Sequence, residues 1–147
     1  MGRDTLSGPD SSYPILIMAL THYIIVRRDL PLGVVCAQVT HAAGESFGRW
    51  ACGRSTYDVW QSGTTAVVLG VGTQRRLLNL EKKLKRHHVP HVAVREPDAP
   101  WNGQLMAIGL YPTHRELVSP ILDKFATIQT LDAGVADRNM HGSSKPE

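Results

Sequence analysis

Residues 27–43, Arg-Arg-Asp-Leu-Pro-Leu-Gly-Val-Val-Cys-Ala-Gln-Val-Thr-His-Ala-Ala, carry a strand end, a charged turn and the start of a helix. Leu30-Pro31-Leu32-Gly33 punctuates the turn, proline presetting φ and glycine freeing it. From Val34 to about Trp50 apolar and small residues recur with helical spacing. Val35, Val39, Ala42, Ala43, Ser46 and Phe47 are the expected inward face. Gln38, His41, Glu45 and Arg49 lie three and four apart and are expected as a second, polar stripe. Before the turn, Thr21–Arg27 is β-rich and apolar on both faces, the pattern of a fully buried strand.

Arg54–Gly63 reads as a loop or short helix, and Thr64–Val71 as a second buried strand. Gln74–His87 is a basic amphipathic helix with Leu77, Leu80 and Leu84 inward, expected to stop near Val89-Pro90. His91–Arg95 alternates as a third strand, Glu96–Asn102 is a connection, and Gly103–Leu110 is a fourth strand. Pro112-Thr113 opens a short helix over Arg115–Lys124. The order is β-α-β-α-β-β-α. Helical crossovers predict a parallel portion with right-handed connections, and the short third link predicts an antiparallel hairpin. The expected fold is therefore α/β, a three-layer α/β/α arrangement with a mixed four-stranded sheet. The domain is expected over 18–126, between flexible tails at 1–17 and 127–147; the first tail reads as an optional leader or a misplaced start before Met18.

The 147 residues suffice for one buried core and fall short of two ordinary domains. Hydrophobic residues at 42% against 20% charged exclude a disordered chain. The apolar runs Pro14–Leu20 and Tyr23–Val26 are interrupted by Thr21 and His22, short of the roughly 18 residues of a membrane span. Cys36 and Cys52 form no disulfide framework, and a reducing cytoplasm is the expected location. The net charge of +3 is modest, but Arg75, Arg76, Lys82, Lys83, Lys85 and Arg86 face only Glu81 within one segment.

Across Thr21–Phe125 the chain resembles the archaeal and eukaryotic type of peptidyl-tRNA hydrolase. That family's first block runs Arg-x-Asp-Leu, a short linker, Gly-Lys, then Ala-Gln-x-x-His-Ala. Here stand Arg27-Arg28-Asp29-Leu30, Gly33, and Ala37-Gln38-Val39-Thr40-His41-Ala42. Leu105-Met106-Ala107-Ile108-Gly109 matches the family's closing apolar strand. Two departures stand out. Val34 occupies the place of the family's catalytic lysine, and the second block, Asp-Ala-Gly-x-Thr-Gln, is replaced by Arg95-Glu96-Pro97-Asp98-Ala99-Pro100. A divergent branch, the peptidyl-tRNA hydrolase domain-containing proteins, is similar in both respects and in the closing Tyr111-Pro112. The resemblance implies a mixed four-stranded sheet between helices, a homodimer, a peptidyl-tRNA substrate, and neither cofactor nor metal.

Hydrolysing the ester at the tRNA 3′ end needs a positioned water, a proton acceptor and donors for the developing oxyanion. The expected catalytic residues are His41, the natural general base or donor, Gln38, and Glu96, the carboxylate at a strand end near the expected second block. Losing one charged donor typically costs about 10²–10³ in rate, so Val34 implies a slow enzyme, or a substitute among Arg27, Arg28 and Arg95. The expected substrate- and RNA-binding residues are Arg27, Arg28, Arg75, Arg76, Lys82, Lys83 and Arg86, because cations on a phosphate backbone gain affinity by counterion release.

Each residue also has a plainer reading. His41 can be a structural histidine, Glu96 a solvated turn residue, and the basic helix a solvated face. Asp29 reads as a cap for the turn or helix start. Gly70-Val71-Gly72-Thr73 lacks the full glycine pattern of a dinucleotide turn. His87, His88 and His91 have no cysteine or carboxylate to complete a metal site, and Pro90 breaks their spacing. The alternative function is a non-catalytic RNA- or protein-binding module that keeps the fold.

Overall fold

The computed structural model describes residues 19–55, 58–59 and 63–128. The expected tail at 1–17 lies outside these residues, as do that at 127–147 apart from 127 and 128 and part of the 54–63 segment. The elements are β1 (Leu20–Arg27), α1 (Leu32–Ala51), β2 (Thr64–Val71), α2 (Gln74–Arg86), β3 (His91–Glu96), β4 (Gln104–Leu110), α3 (Arg115–Leu122) and β5 (Ala126–Thr127).

The fold is α/β with a mixed sheet in the order β3-β4-β1-β2-β5. β1 and β2 run parallel in register from Leu20↔Thr64 to Arg27↔Val71. β4 is antiparallel to both β1 and β3, as the short link between strands three and four predicts. The sheet has five strands rather than the expected four. β5 adds Ala126–Thr127 beside Leu69 and Gly70 of β2, and two exposed residues after a helix carry no alternation by which to foresee a strand.

Two apolar clusters cover the two sides of the sheet. One joins Tyr23, Ile25, Leu69 and Ile108 to Leu77, Leu80 and Leu84 of α2 and to Val118, Ile121 and Leu122 of α3. The other joins Ile24, Val26, Met106 and Ala107 to Val35 and Ala42 of α1. Leu77 and Leu84 are fully buried, each contributing about 1.5–3 kcal/mol to docking α2. Strand β4 serves both clusters through a bulge. Val94 pairs with Ala107 while Arg95 pairs with Leu105, so Met106 is the extra residue. The slip turns Met106 and Ala107 toward α1 and Leu105 and Ile108 toward α2.

Helix α1 lies close on β4 because both surfaces are small there. A Cβ at Gly109 would overlap the carbonyl oxygen of Ala42 and the hydroxyl of Ser46. Ser46 is fully buried, donates to Ala42 O at 2.6 Å and accepts from His22 Nε2 at 2.8 Å. Ser46 Oγ gives its proton to the carbonyl, so the His22 Nε2 that faces it carries a proton and donates. Burial of the ring holds its pKa below the ordinary 6.5.

The buried face of α1 is Val35, Gln38, Ala42, Ser46 and Trp50. This corrects the expected polar stripe: Gln38 turns inward, while His41, Glu45 and Arg49 stay exposed. Val39, Ala43 and Phe47, expected inward, flank the contact half-buried.

Helix α2 starts at Thr73, whose hydroxyl accepts from Arg76 N at 3.3 Å. It stops where His88 takes a left-handed φ of 53° ahead of Pro90. Its direction sets its first turn beside the carboxyl end of β2.

Candidate functional site

The carboxyl ends of β1 and β3 and the first two turns of α1 meet at one end of the sheet. Gln38 from α1 donates through Nε2 to Glu96 Oε2 at the end of β3, at 3.0 Å. Glu96 is half-buried, and its other oxygen has only a long contact of 3.5 Å from Asp98 N. Gln38 is 4% exposed, and its Oε1 is buried without a hydrogen-bond partner. A buried amide acceptor left open beside a carboxylate is costly and marks the place where a donor belongs.

Beside this pair runs a second network. Arg27 is 6% exposed and binds Asp29 in a fork, Nε to Oδ1 and Nη2 to Oδ2, both at 2.9 Å. Its Nη1 donates to Gln104 Oε1 at 2.7 Å, and Gln104 is the cross-strand partner of Glu96. The guanidinium is therefore occupied within the protein and ties β1 to the strand bearing the site's neighbour. Asp29 is not a helix cap. The α1 N-cap is Pro31, with no side-chain cap and no acidic residue in the first turn. No motif or spacing points to Gln104; its only signal is its position opposite Glu96, which requires the register.

Val34 stands one turn before Gln38 and packs half-buried on the cluster that includes Ile24, Val26, Val35 and Met106. Where the resemblance leads one to expect a lysine, the side chain is an apolar contact. His41 is exposed, three residues past Gln38, and makes no hydrogen bond to the described residues. The structure thus joins Gln38 to Glu96 and leaves His41 apart from that bond.

The basic residues are distributed over several places. Arg28 is half-buried, its alkyl chain lying across Gly70 where a Cβ would overlap it, and its Nε is buried without a partner. Arg75 and Arg76 occupy the first turn of α2, whereas Lys82, Lys83 and Arg86 lie in its second half. Arg75 and Arg86 are thus ~16 Å apart along the helix axis. Glu81 of α2 is 6% exposed and binds Lys85 and Arg95, each at 2.8 Å. Burial raises its pKa, but the hydrogen bonds and charges of Lys85 and Arg95 outweigh that and hold it below the ordinary 4.5. Arg95 therefore clasps α2 to the end of β3.

Among the described residues no group of three or more His, Cys, Asp and Glu side chains converges on one point. Nor is any helix among them long and apolar enough to cross a membrane. Cys36 and Cys52 are free and exposed.

A family model described as Peptidyl-tRNA hydrolase PTH2 matches residues 20–128, from the first residue of β1 to just past β5. The chain belongs to that family. No curated protein matches it.

Proposed function

We propose that this family member hydrolyses the ester joining a peptide or acyl group to the tRNA 3′ end, slowly, with Glu96 as proton acceptor and Gln38 as its positioning residue. The observation that carries this reading is the Gln38–Glu96 hydrogen bond at 3.0 Å. It joins a glutamine of the family's first block to the strand-end carboxylate that opens the divergent second loop.

In this reading water attacks the ester carbonyl and gives its proton to Glu96. The acyl C–O bond then breaks, and the ribose oxygen leaves with the proton that Glu96 gives back. The first-turn N–H groups of α1, at Leu32, Gly33 and Val34, have no intrahelical acceptor and no side-chain cap. They and the helix dipole supply the donors that the missing lysine would have reinforced. His41 donates to the substrate from the exposed side of α1. Arg28, Arg75, Arg76, Lys82, Lys83 and Arg86 neutralise phosphates, and Arg27 supports the site through Gln104. A cytoplasmic homodimer completes the proposal, tested by light scattering of the purified chain.

Val34 favours a second reading, an RNA-binding module without turnover, because its side chain is an apolar contact and offers neither charge nor hydrogen bond. The assay that separates the two measures release of a labelled N-acylated amino acid from charged tRNA. Wild type is compared with Glu96→Gln, Gln38→Ala and His41→Ala. Wild-type turnover that collapses in Glu96→Gln supports the hydrolase. Wild type no faster than background, with salt-sensitive tRNA binding retained, leaves the binding module.

A further inference from the structure

On the side of the sheet away from Gln38 and Glu96, α2 and the residues just after α3 enclose a cleft of about 380 Å³. It is lined by Arg76, Asn79, Leu80, Lys83, Lys124 and Phe125. The four α2 residues repeat at helical spacing and so share one face. Leu80 is 3% exposed, and Phe125 packs half-buried on the α2-side core. These two form an apolar floor. Lys124 Nζ stands 5.2 Å from the Phe125 ring centroid, a cation–π contact that holds its charge at the rim.

The lining contains three cations and no carboxylate. Among the described residues Arg76, Lys83 and Lys124 take part in no ion pair, although Lys85 on the same helix is bound to Glu81. Three like charges around one cavity repel each other, and an anion entering it relieves all three. The donor set is an arginine fork, two ammonium groups and a neutral amide, which suits the several oxygens of a phosphate. The apolar floor suits the sugar or base attached to it.

We propose that this cleft binds the phosphate backbone of tRNA, as a contact separate from the ester-cleaving site and on the other side of the sheet. The assignment rests on tRNA being the partner, and it selects Arg76 and Lys83 of α2 together with Lys124 beyond α3 from among the basic residues.

The test has two parts. Binding of uncharged tRNA by the full chain is titrated across a salt series, for wild type and for Arg76→Ala/Lys83→Ala/Lys124→Ala. At about 0.9 per phosphate contact in duplex nucleic acid, the slope of log affinity against log salt should fall by about 2 to 3 in the triple variant. In parallel, an RNA minihelix is titrated into isotopically labelled wild type, and the Asn79 side-chain amide and the Phe125 ring signals should shift. A slope change below about one contact, or silent Asn79 and Phe125 signals, overturns the proposal, as does wild type that fails to bind tRNA at low salt. Cleft-dependent binding without wild-type turnover upholds the cleft and removes the hydrolase reading. Turnover without cleft-dependent binding does the reverse.

Discussion

Gln38 and Glu96, 58 positions apart in sequence, are joined by one hydrogen bond at 3.0 Å between the second turn of α1 and the last residue of β3. Glu96 keeps its second oxygen nearly unengaged, with only the 3.5 Å contact from Asp98 N. One oxygen is anchored and the other is open to a water. Gln38 therefore fixes the orientation of the Glu96 carboxylate without touching the reacting atoms.

Replacing Glu96 by Gln should lower kcat by about 10²–10⁴, the usual contribution of a general base. Gln38→Ala should cost less and act on kcat rather than KM, because the carboxylate remains and only its anchor is lost. An unchanged kcat in Gln38→Ala would confine Gln38 to packing.

Val34→Lys should raise kcat by about 10²–10³, since it adds a charged donor one turn ahead of Gln38. The lysine stem can cover the apolar contact that Val34 makes while its ammonium reaches water, so folding should be retained. Single-turnover release from charged tRNA measures the gain; no gain in a folded variant would show that position 34 does not address the substrate.

Two glycines should respond oppositely to alanine. Gly109→Ala drives a methyl into Ala42 O and Ser46 Oγ and should destabilise by about 1–3 kcal/mol. Gly44→Ala, exposed within α1 with nothing near its Cβ, should stabilise by about 0.5–1 kcal/mol. Urea midpoints decide both.

His22 predicts how stability responds to mild acid. Its folded pKa is lowered by burial below 6.5, so the unfolded chain takes up the proton first as pH falls. The sign follows: this contribution is full above about pH 6.5 and is lost as pH falls toward the folded value. The urea midpoint should drop between pH 7.5 and 5.5, and His22→Gln should flatten the drop.

Much of the fold is legible in the sequence because its strands are apolar and its turns carry Pro and Gly. Thr64–Val71 is bounded as read, and Gln74 starts α2 as read. The inward turn of Gln38 is not legible, since polarity alone assigns it to the solvent side. What buries it is Glu96, a partner 58 residues away that no helical period reports. Asp29 misleads for the same reason. Beside Pro31 it resembles a cap, yet Arg27 two residues earlier claims both its oxygens. β5 escapes because two residues cannot show a period.

Successive side chains on a strand face opposite ways, and at the end of β3 this divides two duties between neighbours. Arg95 goes to Glu81 on α2, and Glu96 goes to Gln38 on α1. The dipeptide is therefore frame-sensitive. Deleting or inserting one residue in β3 just ahead of it would exchange the two, pressing Glu96 toward Glu81 as carboxylate against carboxylate and offering Gln38 a cation. Length changes in the turn at 97–103 carry no such penalty. Indels scanned across 92–103 should show a sharp boundary at Glu96, with folding and any turnover lost together on its strand side.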